Sequence, residues 1–533
     1  MSTVPANFSF EIPLGSVYIV FICCRCRNKV LLKVMDDSNV ENMTKSRNFK
    51  LFIGGSWVDS LSGETFESDN PARPKQILGT FQRGCKEDVY RAVQAAEEAS
   101  SEWSETPAPR RGLVLLKAAQ MLRENKMQLA KEMTMEMGKV IQESRGDVQE
   151  AIDVTEYMAG EGRRLLGFTT PSELRRKLCL TTRFPVGVCG LITPWNFPMA
   201  IPAWKIMTAL ICGNTVVFKP SSDTPLCATR LVETLEKAGL PNGVLNLVTG
   251  SGDEVGMTIV KHEKVRAISF TGHKDTGATI LREAGLKRVG LEMGGKNGII
   301  VMDDADLNLA ADGVIWGGYG TTGQRCTAAS RIIVHEKIKN KFERILVNRI
   351  RKLKLGDGLK PETDVGPLIN KAAQEKSAKY VEIGKTEGAR LLIGGEIPAL
   401  DGFFFEPTLF TDCSIEMRIA QEEIFGPVVS IISVGNLDEA IDAINSAEYG
   451  LSSAIYTKDI GRACEAIVRI KAGLTYINSS TIGSEVHLPF GGVKHTGTGT
   501  REGGIEGINE FSEIKTVYID YSGQLQRAQI DSE

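Results

Sequence analysis

The chain has 533 residues, which is too long for a single ordinary hydrophobic core and predicts two or more domains. Its 63 basic and 66 acidic residues give a net charge of −3, so nucleic acid, which needs a basic excess, is not an expected partner. The 11 cysteines are odd in number and lie mostly in apolar segments. This usage is typical of reduced thiols in an intracellular protein and predicts a cytoplasmic location.

The first 48 residues differ in composition from the rest of the chain. The apolar stretch SVYIVFICC covers nine residues, well short of the ~20 that a membrane-spanning helix needs. No basic segment precedes it and no cleavage pattern follows, so a secretory signal is not expected. We expect a disordered extension with Met35 or Met43 as the true start; a short membrane-touching or partner-binding segment is the alternative. CCRC at 23–26 has no second ligand cluster to complete a metal site, so no metal is predicted.

In chain order, the charged and amphipathic residues 88–166 predict several helices with solvated faces. From residue 186 onward, apolar strands alternate with amphipathic helices. One helix is expected to end at Gly213, the next strand at Pro220, and a further helix to begin at Pro225 with Thr224 as its N-cap. This alternation predicts a parallel sheet covered on both faces, with ligands bound at the carboxyl ends of its strands.

Two glycine-rich turns follow strands of this predicted sheet. GSGDEVG contains Gly252 and Gly256, and GHKDTG contains Gly272 and Gly277. Neither has the spacing of the dinucleotide fingerprint G-x-G-x-x-G, so each is either a phosphate contact or a plain tight turn. A second unit of strands and helices is expected over residues 297–490, and it includes the turn-rich stretch EEIFGPVV.

Cys326 lies in GGYGTTGQRCTAASR, where large apolar side chains that would bury a thiol are missing. The neighbouring Arg325 is a fixed positive charge, which is expected to favour thiolate over thiol. From the residues alone, Cys326 could be a nucleophile, a metal ligand or an ordinary thiol.

Four stretches with reactive or polar residues follow strand ends: ITPWNFP, FKPSS, LEMGGKN and GQRCTA. In this order and at these separations they resemble the aldehyde dehydrogenase superfamily, and the resemblance runs from LFIGGSW at 51 to EIKTVYI at 519. It implies an α/β fold with a Rossmann-like cofactor domain, an α/β catalytic domain and a small oligomerisation sheet. The expected domains are an extension (1–48), a cofactor-binding domain (49–171 and 186–293), a catalytic domain (294–496), oligomerisation segments (172–185 and 497–522) and a tail (523–533). The resemblance also implies a homodimer or homotetramer.

The chemistry gives the central residues their roles. Cys326 as thiolate can add to an aldehyde carbonyl. The oxyanion can be held by the Asn196 amide and the backbone N–H of Cys326. After hydride loss to a nicotinamide, Glu292 can activate water to hydrolyse the thioester. By resemblance, Lys205 and Glu502 support proton transfer. Singly, Asn196 could be a turn residue and Glu292 a helix-cap acid; together they predict catalysis.

The cofactor is expected to be NADP or NAD. By resemblance, Lys219 holds the adenosine ribose, and Glu423 holds the nicotinamide ribose with Phe425 beside it. Ser222 stands where many NAD-specific relatives have a glutamate that repels a 2′-phosphate, which favours NADP or dual use. His273 replaces a serine that faces the pyrophosphate, so it either contacts phosphate or faces solvent at a helix start. The other expected cofactor residues are Ile192, Thr193, Pro194, Trp195, Gly252, Gly256, Phe270, Thr271, Gly272, Gly277 and Leu291.

The substrate is expected to be a semialdehyde that carries a carboxylate, because Arg325 offers a bidentate fork beside the nucleophile. The alternative is that Arg325 points outward or only acidifies the thiol. GDVQEAIDVTEYMAG resembles the antiquitin branch of this superfamily, which oxidises α-aminoadipate semialdehyde. This resemblance implies that Glu150 meets the ammonium group of the substrate. Gly483 and Ser484 would then meet the carboxylate, with Thr327 also at the substrate. PWNFP and LEMGGKN are more similar to succinate or α-ketoglutarate semialdehyde dehydrogenases, so α-aminoadipate semialdehyde is favoured only narrowly.

Three other functions are alternatives to this one. One is a general aliphatic or glyceraldehyde-type aldehyde dehydrogenase. Another is a coenzyme A-acylating semialdehyde dehydrogenase, but such enzymes lack the glutamate base, and Glu292 is present. A catalytically inactive structural protein would have lost the nucleophile or the oxyanion donor, whereas Cys326 and Asn196 both remain.

Overall fold

The computed structural model describes residues 47–530 and, before them, the paired two-residue strands Pro13–Leu14 and Val17–Tyr18. Contacts divide the chain into Met1–Arg47 and Asn48–Glu533, and the second unit is the subject below. The CCRC cluster and most of the expected extension lie outside the described residues. Within the described ranges, no helix is long and apolar enough to cross a membrane, and no three potential metal-binding side chains converge.

A first seven-stranded sheet is built mainly from residues 188–292. Five of its strands are parallel, and the two from residues 51–58 join antiparallel at one edge. Val188–Ile192 and Thr215–Lys219 are buried at every position, as in parallel strands covered on both faces. In spatial order the strands are Arg288–Glu292, Val265–Thr271, Val188–Ile192, Thr215–Lys219, Leu245–Leu247, Leu51–Ile53 and Ser56–Val58.

Helices precede and separate these strands: Lys86–Glu105, Ala108–Glu124, Lys126–Met137, Ile141–Glu161, Ala200–Ile211, Pro225–Ala238, Met257–Lys261 and Lys274–Glu283. The helix expected to end at Gly213 ends at Ile211. The helix at Pro225 begins as expected, but the Thr224 side chain makes no capping hydrogen bond. The buried carboxylate of Glu136 accepts the first free N–H groups instead. A π-helical turn, Gly252–Gly256, was not predicted and precedes Met257–Lys261.

The second seven-stranded sheet covers residues 297–477, close to the expected second unit. Six strands are parallel and one edge strand is antiparallel. In spatial order they are Arg390–Ile393, Thr408–Cys413, Val428–Val434, Ala329–His335, Asn297–Val301, Ser452–Tyr456 and Leu474–Ile477. The helices of this region are Leu307–Tyr319, Glu336–Ile350, Lys371–Thr386, Arg418–Gln421, Leu437–Asn445 and Ile460–Arg469, and Gly504–Glu510 follows nearer the C-terminus.

Smaller sheets complete the second unit. Lys177–Pro185 and Ser512–Asp520, which lie in the two expected oligomerisation segments, pair antiparallel along their full length, with Thr169–Thr170 at the edge. Assembly through this outer sheet stays a prediction. Another sheet joins Asn48–Phe49, Arg73–Gln82 and Thr65–Asn70, and a short ribbon pairs Tyr449–Gly450 with Val493–Lys494.

Candidate active site

Two cavities meet at Cys326. The larger has a volume of about 340 Å³ and the smaller about 130 Å³. Cys326, Ile201, Thr271 and Met293 line both of them. The thiol is therefore open to groups bound on either side.

The larger cavity lies where strands of the first sheet end, as expected for a parallel sheet. The predicted residues that line it are Pro194, Trp195, Asn196, Thr271, Gly272, His273, Cys326, Glu423 and Phe425. Its opposite wall, which sequence reasoning missed, comes from residues 369–376 and includes Asn370 and Lys376. This wall begins an ordinary amphipathic helix, Lys371–Thr386, so its sequence carries no signal beyond the N-cap Asn370.

Other predicted cofactor residues do not line this cavity: Ile192, Thr193, Lys219, Ser222, Gly252, Gly256, Gly277, Phe270 and Leu291. The side chains of Ile192, Phe270 and Leu291 pack into the hydrophobic core beneath the sheet end. Both faces of a parallel strand are buried and only its backbone reaches the edge, so the backbone of these three residues is the part available to a cofactor, and their role in binding it stays a prediction.

Glu423 and Phe425 shape one end of the larger cavity. The Glu423 carboxylate accepts the backbone N–H of Gly295 at 2.9 Å. Burial raises its pKa, and Lys376 across the cavity partly opposes this shift. Phe425 has a left-handed backbone, φ 60°, and its ring meets Trp195 edge-on with centroids 5.5 Å apart. A strained residue held in such a contact is typical of a ligand-binding wall.

Lys219 and Ser222 follow the fourth strand of the first sheet. The buried Lys219 ammonium donates to the carbonyl of Pro220 at 2.8 Å, and burial lowers the pKa of Lys219 to about 8. Ser222 is exposed and donates to the carbonyl of Gly250 at 3.0 Å. His273 is exposed and accepts the N–H of Asp275 as N-cap of Lys274–Glu283, and it also lines the larger cavity, so a phosphate contact by His273 stays a prediction.

The nucleophile loop, residues 320–328, is strained and held from several sides. Thr321 and Thr322 both have left-handed backbones, with φ of 52° and 58°. The carboxylate of Glu143 accepts the backbone N–H of Thr321 at 2.8 Å. The Asn297 amide donates to the carbonyl of Cys326 at 2.7 Å. Such strain persists only where the surroundings fix it, and here it presents the sulfur to the cavities.

The Asn196 side chain is buried and donates one amide N–H to the carbonyl of Gln324 at 3.0 Å, which leaves the other N–H for an oxygen near Cys326. Burial, followed by the carboxylates of Glu423 and Glu292, raises the pKa of the Cys326 thiol to about 12. These surroundings together favour the thiol in this state of the protein, and the effect of Arg325 on the thiol stays a prediction. The Arg325 guanidinium is turned toward Glu143.

The smaller cavity brings together all five predicted substrate residues, which are Glu150, Arg325, Thr327, Gly483 and Ser484. Glu292 and Glu502 also line it. Sequence reasoning missed its apolar wall, formed by Phe197, Ile201, Trp204, Ile482 and Phe490. Apolar residues at these spacings look like ordinary core positions, so nothing in the sequence marked them.

Arg325 faces the smaller cavity and does not point outward. Its guanidinium carbon lies 5.2 Å from the ring centre of Phe197 and 4.9 Å from that of Trp316. Nε donates to the hydroxyl of Thr321 at 2.8 Å, and Nη2 lies 3.5 Å from Glu143. Stacking on the two rings and the contacts with Thr321 and Glu143 hold the guanidinium rigid. Nη1 is the nitrogen that these contacts do not use, so it is the one available to a substrate.

Three carboxylates, Glu143, Asp147 and Glu150, share one face of the helix Ile141–Glu161. Asp147 forms a fully buried ion pair with Lys139 at 2.9 Å. Glu150 accepts the indole N–H of Trp204 at 3.0 Å. Burial and then the nearby Asp147 raise the pKa of Glu150 to about 7. The sequence analysis did not identify Glu143 and Asp147. The signal that could have found them is their spacing from Glu150, because the three residues stand at positions i, i+4 and i+7 of one helix.

Glu292 ends the strand Arg288–Glu292 and is buried. Neither of its carboxylate oxygens has a hydrogen-bond partner among the described residues. Burial and then repulsion from Glu502 raise its pKa well above the usual range. Lys205 pairs with Glu502 and donates to the hydroxyl of Ser269 at 2.9 Å. An unpartnered carboxylate with a raised pKa beside a thiol is suited to general-base work near neutral pH.

A thiol on a strained loop, a buried amide donor and a buried carboxylate, set between two cavities, define an α/β enzyme of the thiol-nucleophile class. Residues 57–517 match the Aldehyde dehydrogenase family, and the chain belongs to that family.

The alpha-ketoglutaric semialdehyde dehydrogenase of Bacillus subtilis (strain 168) is 43% identical over 484 residues, covering 90% of this chain and 99% of that protein. The 2,5-dioxopentanoate dehydrogenase of Saccharolobus solfataricus is 40% identical over 471 residues, covering 87% and 98%. The crystal structure of betaine aldehyde dehydrogenase from Staphylococcus aureus in complex with NAD+ has a TM-score of 0.89 and 38% identity, covering 92% and 98%. The predicted fold class and the predicted enzyme class are thereby confirmed.

Proposed function

We propose that the protein oxidises a carboxylate-bearing semialdehyde to the acid, with a nicotinamide dinucleotide as oxidant. The observation that carries this proposal is the position of Cys326 at the junction of the two cavities, with Asn196 and Glu292 lining one cavity each. One cavity then holds the cofactor and the other the aldehyde, and the thiol reaches both.

The proposed reaction uses groups on this chain in three steps. The Cys326 thiol first loses its proton to solvent water; the thiolate then adds to the aldehyde carbon, and the resulting oxyanion accepts a hydrogen bond from the free amide N–H of Asn196. Loss of a hydride from that carbon, for which a nicotinamide dinucleotide held in the larger cavity would be the oxidant, would leave a thioester on Cys326. Glu292 then takes a proton from water; the hydroxide adds to the thioester carbonyl, and the C–S bond breaks to release the acid and the thiolate.

The larger cavity fits a nicotinamide dinucleotide. Glu423 offers a carboxylate to ribose hydroxyls, and Trp195 and Phe425 provide an aromatic wall. The solved relative with bound NAD+ supports this class of cofactor. We propose dual use of NAD and NADP, because Ser222 carries no charge to repel a 2′-phosphate and the Lys219 ammonium lies three residues earlier.

The favoured substrate is α-ketoglutarate semialdehyde, also named 2,5-dioxopentanoate. Relatives at 43% and 40% identity carry these names, which reverses the narrow preference of the sequence for α-aminoadipate semialdehyde. Nη1 of Arg325 can donate to the substrate carboxylate. Below pH 7, Glu150 is protonated and can donate a hydrogen bond to the carboxylate or the 2-oxo group.

α-Aminoadipate semialdehyde is kept as the second candidate because of Glu150. This carboxylate faces the smaller cavity without a cationic hydrogen-bond partner among the described residues. In its ionised form it could pair with a substrate ammonium.

The two candidates predict opposite pH dependence, because the pKa of Glu150 is raised to about 7. NAD(P)H formation should be followed with 2,5-dioxopentanoate, α-aminoadipate semialdehyde, succinate semialdehyde and propanal on either side of pH 7. KM for 2,5-dioxopentanoate should rise as Glu150 ionises, whereas KM for the amino acid should fall. Glu150→Gln should remove both trends. Efficient oxidation of propanal with weak oxidation of all three semialdehydes would refute the substrate class.

A further inference from the structure

Glu510 is a buried carboxylate for which the proposed reaction has no role. It ends the helix Gly504–Glu510 and is 7% exposed. Its carboxylate lies directly on the strand Arg288–Glu292, because a Cβ atom on Gly290 would overlap it. Ser269 is the cross-strand partner of Gly290, so its hydroxyl lies near this carboxylate, and Oε2 of Glu510 has no hydrogen-bond partner among the described residues.

Glu510 and the proposed base belong to one buried cluster. Lys205 donates to the same Ser269 hydroxyl at 2.9 Å and pairs with Glu502. Because Ser269 lies opposite Gly290, against which Glu510 packs, Lys205 and Glu510 reach the same place on the sheet. Glu292 and Glu502 both line the smaller cavity beside Cys326.

The charges of this cluster do not balance if every carboxylate is ionised. The charged and titratable groups that face Glu510 are Lys205, Glu292, Glu502, Arg288 and the thiol of Cys189. Arg288 is committed elsewhere: its guanidinium donates to the carbonyl oxygens of Glu510 and Ser512 and to the exposed carboxylate of Glu513, each at 2.9 Å. Three buried carboxylates thus share the fully buried ammonium of Lys205, with only the partly exposed guanidinium of Arg501 beside Glu292 as a further cation, and buried charge with too few partners is costly.

We propose that Glu510 is a positioning residue for thioester hydrolysis: it holds a proton that the three buried carboxylates share, and its charge sets whether Glu292 can act as a base. This proposal rests on the proposed function. When Glu510 is protonated, Glu292 can ionise at the cost of one unpaired negative charge. When Glu510 ionises, a second negative charge makes Glu292 keep its proton.

The electrostatics support this assignment. Burial and then the neighbouring Glu502 raise the pKa of Glu510 to about 7. Glu510 is in turn among the carboxylates that raise the pKa of Glu292. Because Glu510 and Glu292 repel each other when both are ionised, the ionisation of one raises the pKa of the other. Removing the charge at 510 should therefore lower the pKa of Glu292.

The test is the pH profile of deacylation in Glu510→Gln, measured in single turnovers of the full chain with saturating NAD and aldehyde. The half-maximal pH of the deacylation rate should move down by about one unit, since a nearby like charge is removed. The amplitude of the initial NADH burst and KM for NAD should not change. Glu510→Asp, which retains the charge, should keep the wild-type profile.

Glu513→Gln is the matched control, because Glu513 lies three residues further on, also contacts Arg288, and is exposed. An unshifted profile in Glu510→Gln, or an equal shift in Glu513→Gln, would overturn the proposal. If Glu510→Gln does not fold, infrared difference spectra of the wild type and Glu510→Asp decide. The carbonyl stretching band of a buried carboxylic acid that titrates near neutral pH should differ in frequency between the wild type and Glu510→Asp. An identical band in both proteins refutes the assignment.

The behaviour of Glu292→Gln distinguishes an error in the proposed function from an error in this inference. If Glu292→Gln turns over like the wild type, the base itself is misassigned. If Glu292→Gln stalls after its burst while Glu510→Gln keeps the wild-type profile, only the role of Glu510 is wrong.

Discussion

The two cavities at Cys326 differ in what forms their walls. The larger one is lined by segments at strand ends, such as residues 194–196 and 271–273, and by the start of the helix Lys371–Thr386, and it has few charged side chains. The smaller one is lined by long side chains from helices and loops, including Glu150, Arg325 and Glu502. The first depends on the course of the sheet, whereas the second depends on individual side chains that substitution can change without altering the fold.

The same contrast separates the nucleophile from the base. Cys326 is held by many hydrogen bonds to its loop, and its backbone cannot move without breaking them. Glu292 has no such restraint on its carboxylate, and its properties come from burial and from neighbouring charges. Geometry therefore fixes the thiol, and electrostatics tunes the base. Four substitutions, ordered by expected effect, test this division.

Cys326→Ala should abolish aldehyde oxidation, with turnover below about 10⁻⁴ of the wild type, because no other group can form the thioester. Cofactor binding should be nearly unchanged, since the larger cavity keeps its walls. Enzyme assays and titration of cofactor fluorescence measure the two effects. The control is Cys464→Ala, which removes an exposed cysteine and should leave activity intact. Substantial turnover by Cys326→Ala would contradict the mechanism.

Glu292→Gln should lower kcat by about 10²- to 10⁴-fold, the usual contribution of a general base. Acylation does not need this base, so stopped-flow absorbance should show one equivalent of NADH per site before turnover stalls. Hydroxylamine attacks thioesters without help from a base and should restore NADH formation. In the wild type, whose Glu292 pKa is raised, deacylation should quicken as rising pH ionises this group. Normal turnover by Glu292→Gln would mean that another group activates water.

Arg325→Ala should raise KM for 2,5-dioxopentanoate by about 10- to 100-fold, through loss of a charge-assisted hydrogen bond to its carboxylate. Propanal, which has no carboxylate, should be oxidised almost as before. Arg325→Lys keeps the charge but loses the planar fork, so its KM for 2,5-dioxopentanoate should lie between those of the wild type and Arg325→Ala. Because Arg325 also contacts Thr321 of the nucleophile loop, equal losses for both aldehydes would show that it supports the loop instead of the substrate.

The sequence predicted the segments of both cavities better than it predicted their side chains. Motifs at strand ends identified the stretches around Asn196, Thr271 and Cys326, because parallel strands bring their carboxyl ends to one edge. The same reasoning also named Phe270 and Leu291, whose side chains pack into the core, and their part in cofactor binding stays a prediction. Alternation of strand and helix fixes where a strand ends, but it does not fix which side chains turn into the core.

Long-range partners were beyond sequence reasoning. Glu143 holds the backbone of Thr321 from 178 positions away along the chain. Glu510 lies in a stretch whose pattern indicated only an outer sheet, yet its carboxylate enters the cluster around Lys205. In both cases a carboxylate on a helix meets a partner from a distant element, and the local pattern is that of any amphipathic helix.

The smallest expected effect tests the larger cavity at Ser222. Ser222→Glu should shift the ratio of kcat/KM for NADP over NAD by about tenfold toward NAD, because a carboxylate near the adenosine ribose repels a 2′-phosphate and can accept ribose hydroxyls. Ser222→Gln has the same size without the charge and separates repulsion from crowding. Initial rates with both cofactors at one aldehyde concentration suffice. Aldehyde KM should not respond, since Ser222 lines neither cavity directly. If the cofactor ratio is the same in all three proteins, Ser222 does not face the ribose, and the preference must be set by another residue near Lys219.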